Sequence, residues 1–167
     1  TAETVRRYCD AVTAHAYGML WTEPVAMTPD ARADVHQLML TKENQDAFSA
    51  MMRAISEAAE RVHGFAPLQI ALFGHAGCFA LKPAVAEQNH LTTEGAALLS
   101  DDDLTRLVVS CAEAAALAEQ AGCAGVALNA CDRSLFGNSL AAFHREGRFG
   151  GDFDDRPSDY EFSENDF

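Results

Sequence analysis

The chain has no apolar run long enough to span a bilayer, because charged residues interrupt every candidate stretch. Its opening residues, TAETVRRYCD, lack the apolar core of a secretory signal, and there is no initiator methionine. These absences lead us to expect a cytoplasmic protein and a processed, trimmed or partial chain. Basic residues are scarce, 12 Lys and Arg against 25 Asp and Glu, for a formal net charge of −13. Such a surface repels nucleic-acid backbones and anionic membranes, so neither is expected as a partner. The five cysteines (Cys9, Cys78, Cys111, Cys123 and Cys131) contain no C-x-x-C pair and are odd in number. That pattern builds neither a full disulfide framework nor a zinc or iron–sulfur site, and reduced, mostly buried thiols are expected. His15, His36, His63, His90 and His144 show no ligand spacing, and no metal is expected.

What is present is ordinary globular material. The 167 residues are 49% hydrophobic and 22% charged, enough for one domain with a sizeable core. The negative charge is uneven. Residues 152–167 hold seven acids against one base, Arg156, interleaved with Phe153, Tyr160, Phe162 and Phe167. We read residues 1–151 as the folded domain and 152–167 as a solvated acidic tail with aromatics.

Periodicity along the domain alternates helix and strand. A first helix is expected over 3–16, with Val5, Tyr8, Cys9 and Val12 on one face. Met19-Leu20-Trp21-Thr22 follows as a short apolar strand suited to burial on both faces of a parallel sheet. A second helix, 44–62, carries the stripe Phe48, Met51, Met52, Ile55, Ala58, Ala59 and Val62, with Gly64 placed as the C′ residue. Residues 68–73 form a second strand, ended by Gly74-His75-Ala76-Gly77, and a long loop runs to about 99. Ser100 and Asp103 have the spacing of a capping box ahead of a third helix. Its expected buried face is Leu104, Leu107, Val108, Cys111, Ala115 and Ala118. Residues 125–130 make a third strand, and the remainder reads as loop and tail. Helix and strand in this order mean parallel strands with right-handed crossovers.

In such folds functional groups gather where strands end. Those ends are Thr22-Glu23, Phe73-Gly74-His75-Ala76-Gly77 and Leu128-Asn129-Ala130-Cys131-Asp132. Here a family resemblance becomes visible. The stretch A-x-x-A-x-x-A-G-x-x-G-V-x-L over 115–128, followed by R-x-x-x-x-G-G-x-x-x-x-R at Arg145, Gly150, Gly151 and Arg156, resembles the Old Yellow Enzyme family. Leu72-Phe73-Gly74-His75-Ala76-Gly77-Cys78 is similar to that family's Q-L-x-H-x-G-R, and Thr22-Glu23 to the T-E that ends one of its strands. The fragments occur in the family's order across roughly residues 8–156.

The resemblance implies an α/β fold that is a section of a (β/α)8 TIM barrel, about three parallel βα units, not a complete barrel by itself. It implies FMN as cofactor and NAD(P)H as reductant, with hydride passed to an activated alkene or another small-molecule electron acceptor. The family's carbonyl-binding pair falls on Asn129 and Asp132, and flavin contacts on His75 and Arg145. Glu23 stands at a substrate-facing strand end. Several positions depart from the family pattern. Its proton-donating Tyr is Ser134, its flavin-contacting Gln is Leu72, its motif Arg is Cys78 and a loop Asn is Phe143. An ionised Asp132 accepts hydrogen bonds and would oppose an oxyanion. His75, between glycines at a strand end, reads either as ligand-facing or as a backbone-bonded structural residue.

Two function classes follow. One is an FMN-dependent oxidoreductase of the ene-reductase type, present as a fragment or degenerate form. The other is a non-catalytic binding or scaffolding subunit that associates with another barrel chain. Both expect a partner, a second copy or another barrel-completing chain, because uncovered parallel edges invite association.

Overall fold

The computed structural model describes residues 2–131, 133–140, 142 and 144–150. Asp132, Phe143, Gly151, Arg156 and the acidic segment expected at 152–167 lie outside the described residues.

Helix α1 (Ala2–Ala14), strand β1 (Met19–Trp21), helix α2 (Gln45–His63) and strand β2 (Leu68–Phe73) follow one another. After short strands β3 (Ala84–Val85) and β4 (Ala97–Leu98) come helix α3 (Asp101–Gln120), strand β5 (Gly125–Leu128) and the short helix α4 (Leu135–Leu140). The main sheet has the order β1-β2-β5 and is parallel throughout, with Trp21 beside Ile70 and Ile70 beside Gly125. Three parallel βα units are therefore present, as the periodicity expects.

Local chemistry accounts for the boundaries. Gly64 ends α2 in the left-handed conformation (φ 79°), its N–H donating to the Glu60 carbonyl. Ser100 Oγ accepts from the Asp103 N–H at 3.2 Å while an Asp103 carboxylate oxygen accepts from the Ser100 N–H at 2.9 Å, so the capping box closes. One apolar layer lies between helices and sheet. Tyr8 and Val12 of α1, Phe48, Met51, Met52 and Ile55 of α2, and Ala114, Leu117 and Ala118 of α3 close over Ala71 and Phe73 of β2.

Several expectations need correction. Met52 is buried within the α2 stripe as expected, whereas Val62 and Val108 are exposed rather than in their helices' buried stripes. Helix α3 buries Leu104 and Ala118 as expected, and Ala114 and Leu117 in addition. The long loop after β2 contains β3 and β4, paired in parallel, and α4 occupies part of the stretch read as loop. Strand β1 is not buried on both faces. By register Met19, Trp21, Leu68, Ile70 and Leu72 share the face away from the helices, and Met19 (50%), Trp21 (51%) and Leu68 (56%) are exposed. Nothing among the described residues covers that face.

Two substitutions should separate core packing from capping in urea denaturation. Ile55→Ala, at a fully buried site, should cost about 2–5 kcal/mol. Ser100→Ala, which opens the capping box, should cost about 1 kcal/mol.

Candidate functional site

The strand ends are held together by backbone pairing that continues past the strands. The Thr22 N–H donates to the Ile70 carbonyl and the Val25 N–H to the Leu72 carbonyl; the Asn129 N–H donates to the Phe73 carbonyl. Buried Thr22 adds its hydroxyl, which accepts from the Leu72 N–H at 3.0 Å. The C-terminal ends of β1, β2 and β5 are thereby set side by side. Above them lies a cavity of about 530 Å³ whose wall includes Arg7, Glu23, Asp34, His75, Asn129 and Cys131. That volume is within the range of small-molecule sites, about 300–1,000 Å³.

His75 is the most buried ionisable group on this wall, 8% exposed. Its Nδ1 accepts from the Gly77 N–H at 3.1 Å, which leaves Nε2, on the far edge of the ring, as the N–H. Nε2 makes no hydrogen bond to another described residue. Burial pushes the imidazole down to about 4, partly opposed by the Asp30 carboxylate, so the ring is neutral at physiological pH. Gly77 is required for this arrangement. Its φ is 59°, and a Cβ there would sit 2.6 Å from the Arg133 carbonyl oxygen.

Asn129 supplies a second neutral donor. Its Oδ1 accepts from the Cys131 N–H at 3.1 Å, leaving the Nδ2 hydrogens for the cavity. Gly74 keeps space open beside it, since a Cβ at Gly74 would lie 3.3 Å from Pro24 Cβ and 3.9 Å from Asn129 Nδ2. Ser134 is occupied with structure. Its hydroxyl donates to the Asn129 carbonyl at 2.9 Å and accepts from the Gly137 N–H at 3.1 Å at the start of α4.

Glu23 is tied down on two sides. Its carboxylate is ion-paired with Arg7, and its N–H donates to the Tyr8 hydroxyl at 2.6 Å. Arg7 is consequently committed to Glu23. The remaining charge on the wall is acidic, from Asp34, with His36 beside it. Two neutral donors with a self-paired ion pair and an acid suit an uncharged ligand that offers a hydrogen-bond acceptor, such as a carbonyl oxygen.

The fold of this chain resembles solved enzymes. It aligns with morphinone reductase (TM-score 0.68, 18% identity, 90% of this chain and 45% of that one). It aligns equally with an old yellow enzyme homologue from Zymomonas mobilis (TM-score 0.68, 19% identity, 90% and 45%). A complex of 2-naphthoyl-CoA reductase with 2-naphthoyl-CoA matches at TM-score 0.74, with 12% identity over 89% of this chain and 25% of that one. The fold is a section of a (β/α)8 barrel. At these identities the likeness is one of fold, and the chain spans less than half the length of each of these enzymes. No family model matches the sequence, and no curated protein matches it.

Of the residues singled out from sequence, Glu23, His75 and Asn129 line this one cavity. Asp132 lies outside the described residues. Arg145 is elsewhere, on the wall of a separate hollow beside the start of α3. Its buried guanidinium donates to the Ala86 carbonyl and, at 2.8 Å, to Asp101, whose carboxyl it holds below the usual range. Arg7, Asp34 and Cys131 were missed. Arg7 precedes the strands altogether, and Cys131 was grouped with the buried thiols although it is exposed. Its position one residue from Asp132 was the available signal. Among the described residues, no three His, Cys, Asp or Glu side chains are grouped to hold a metal ion.

His75 gives the fold a pH dependence with a defined sign. The unfolded chain protonates it near 6.5 and the folded chain only near 4. Between those values the unfolded state binds more protons, so stability present above pH 6.5 is lost as the pH falls toward 4. The loss should reach about 3 kcal/mol at about 1.4 kcal/mol per pKa unit. Urea midpoints across pH 4–7 should show this slope, and His75→Gln should flatten it.

Proposed function

We propose that this chain is one section of an NAD(P)H-linked, flavin-dependent oxidoreductase barrel of the Old Yellow Enzyme type. In this reading its cavity holds the carbonyl of a small-molecule electron acceptor between His75 Nε2–H and Asn129 Nδ2–H. The observation that carries it is the pair of neutral, oriented donors at adjacent strand ends of a barrel-type sheet. Donors aimed at a carbonyl oxygen stabilise the negative charge that accumulates there when the conjugated carbon accepts hydride.

The residues present fit only part of FMN. Neutral donors suit the polar edge of a flavin ring, which would supply the hydride chemistry when bound. Among the described residues of this wall the phosphate finds no free cation, since Arg7 is paired with Glu23 and Asp34 repels an anion. The phosphate cradle therefore belongs to the part of the barrel that this chain does not contain. That part also covers β1, β5 and the exposed face bearing Met19, Trp21 and Leu68. Two sections of this size supply about the length of one barrel such as the two enzymes that this chain covers to 45%, so a second copy is one partner this reading expects. A different chain would add the cradle as well. Five free thiols fit a reducing, cytoplasmic setting.

A second reading, a non-catalytic binding or scaffolding subunit, is favoured by one observation. Ser134, at the position of the resemblance's proton donor, has its hydroxyl committed to the backbone.

Visible absorbance after incubation with excess FMN and desalting tests the division of labour. The isolated chain should emerge colourless; retention near one flavin per chain would sink the assignment of the cradle to another section. The single tryptophan reports on association. Half-exposed Trp21 should emit at long wavelength in dilute solution and shift to the blue when a partner covers the face, with sedimentation velocity recording the mass.

A further inference from the structure

Cys131 is a part of the cavity that carbonyl recognition leaves without a role. The thiol is exposed, unbridged and on the cavity wall that contains His75 and Asn129. Its backbone N–H is held at 3.1 Å by Asn129 Oδ1, so the thiol is carried one short turn from the Asn129 amide donors. The independent sign of a ligand is His75, more than nine-tenths buried, with a hydrogen on Nε2 that no described residue accepts. A carbonyl oxygen placed on these donors belongs to a molecule that shares its cavity with a sulfur nucleophile. The other four cysteines are outside this wall, and Cys78 is buried.

We propose that Cys131 captures α,β-unsaturated carbonyl compounds covalently and reversibly in this cavity. The inference rests on the carbonyl-binding reading above. The carbonyl oxygen accepts hydrogen bonds from His75 Nε2–H and Asn129 Nδ2–H, which draws electron density away from the β-carbon. Cys131 Sγ, as thiolate, attacks that carbon. A carbon–sulfur bond forms, the carbon–carbon π pair moves toward the carbonyl, and the resulting enolate oxygen stays on the two donors. The proton released by the thiol passes through water to the α-carbon. The net change is addition of S–H across the double bond, with nothing oxidised or reduced, and loss of the α-proton expels the thiolate again. An uncharged ligand is favoured, because Asp34 on the same wall repels anions and Arg7 is already paired with Glu23.

The chain exposed to 2-cyclohexen-1-one and, separately, to iodoacetamide should be analysed by peptide mass mapping over time. With the enone, Cys131 should be modified at least tenfold faster than the other four cysteines. His75→Ala should lower the enone rate at Cys131 at least tenfold while leaving its iodoacetamide rate unchanged. His75→Gln can both accept from the Gly77 N–H and donate to the cavity, and should restore most of the enone rate. Gly74→Ala adds a methyl beside Asn129 without removing a donor, and should also slow the enone but not iodoacetamide. Equal enone rates in wild type, His75→Ala and Gly74→Ala would overturn the proposal and leave only an exposed thiol. Saturated cyclohexanone, followed by the histidine ring resonances, separates the two ideas. A shift of His75 without an enone adduct keeps the carbonyl site and overturns capture; neither shift nor adduct overturns both.

Discussion

Parallel pairing of β2 with β1 on one side and β5 on the other sets everything else in place. Residues paired in a parallel ladder point to the same side, so the register at Trp21, Ile70 and Gly125 decides which side chains meet the helices and which do not. It also brings three strand ends to one level. Thr22, Gly74 and Asn129 then stand next to one another although more than a hundred residues separate the first from the last. Hydrogen bonds that run beyond the strands, from Thr22, Val25 and Asn129, keep those ends from fraying.

The same ladder leaves two consequences of opposite kind. On the helix side Ala71 and Phe73 disappear beneath α1, α2 and α3. On the other side Met19, Trp21 and Leu68 stand exposed, and β1 and β5 each leave a row of backbone groups unpaired within the main sheet. Parallel sheets are ordinarily covered on both faces, and among the described residues this one is covered on one face alone. The cavity stands at the C-terminal strand ends of this sheet. Its electrostatics are those of a site for something neutral.

Charge pairing explains why some conspicuous ions take no part in that site. Arg145 is buried, yet its two terminal nitrogens serve Ala86 and Asp101 and hold the last described loop against α3. Arg7 and Glu23 satisfy one another at the cavity mouth. The groups left with hydrogens to offer are the neutral ones, His75 and Asn129, and His75 stays neutral because burial makes its cation costly.

Much of this architecture was legible from sequence because it rests on local chemistry. The βα order, the Ser100–Asp103 capping box, the Gly64 terminus of α2 and the strand-end positions of Glu23, His75 and Asn129 follow from periodicity, capping and turn residues. Helix facing was less legible. Val108 and Val62 satisfy the apolar period but are exposed, since facing depends on which neighbour is present to pack against. Sequence left His75 open between a structural and a ligand-facing role; the fold shows its Nδ1 bonded to the Gly77 N–H, a contact that only the position of Gly77 could decide. Arg145 matched a motif, but its direction was set by Asp101, 44 residues earlier. Arg7 and Cys131 joined the cavity without a sequence signal strong enough to select them. Sequence by itself determined which elements form and in what order, through interactions a few residues in range. Tertiary structure decided which charges cancel, which donors remain and which face stays open, because those outcomes depend on groups far apart in the chain meeting across one sheet.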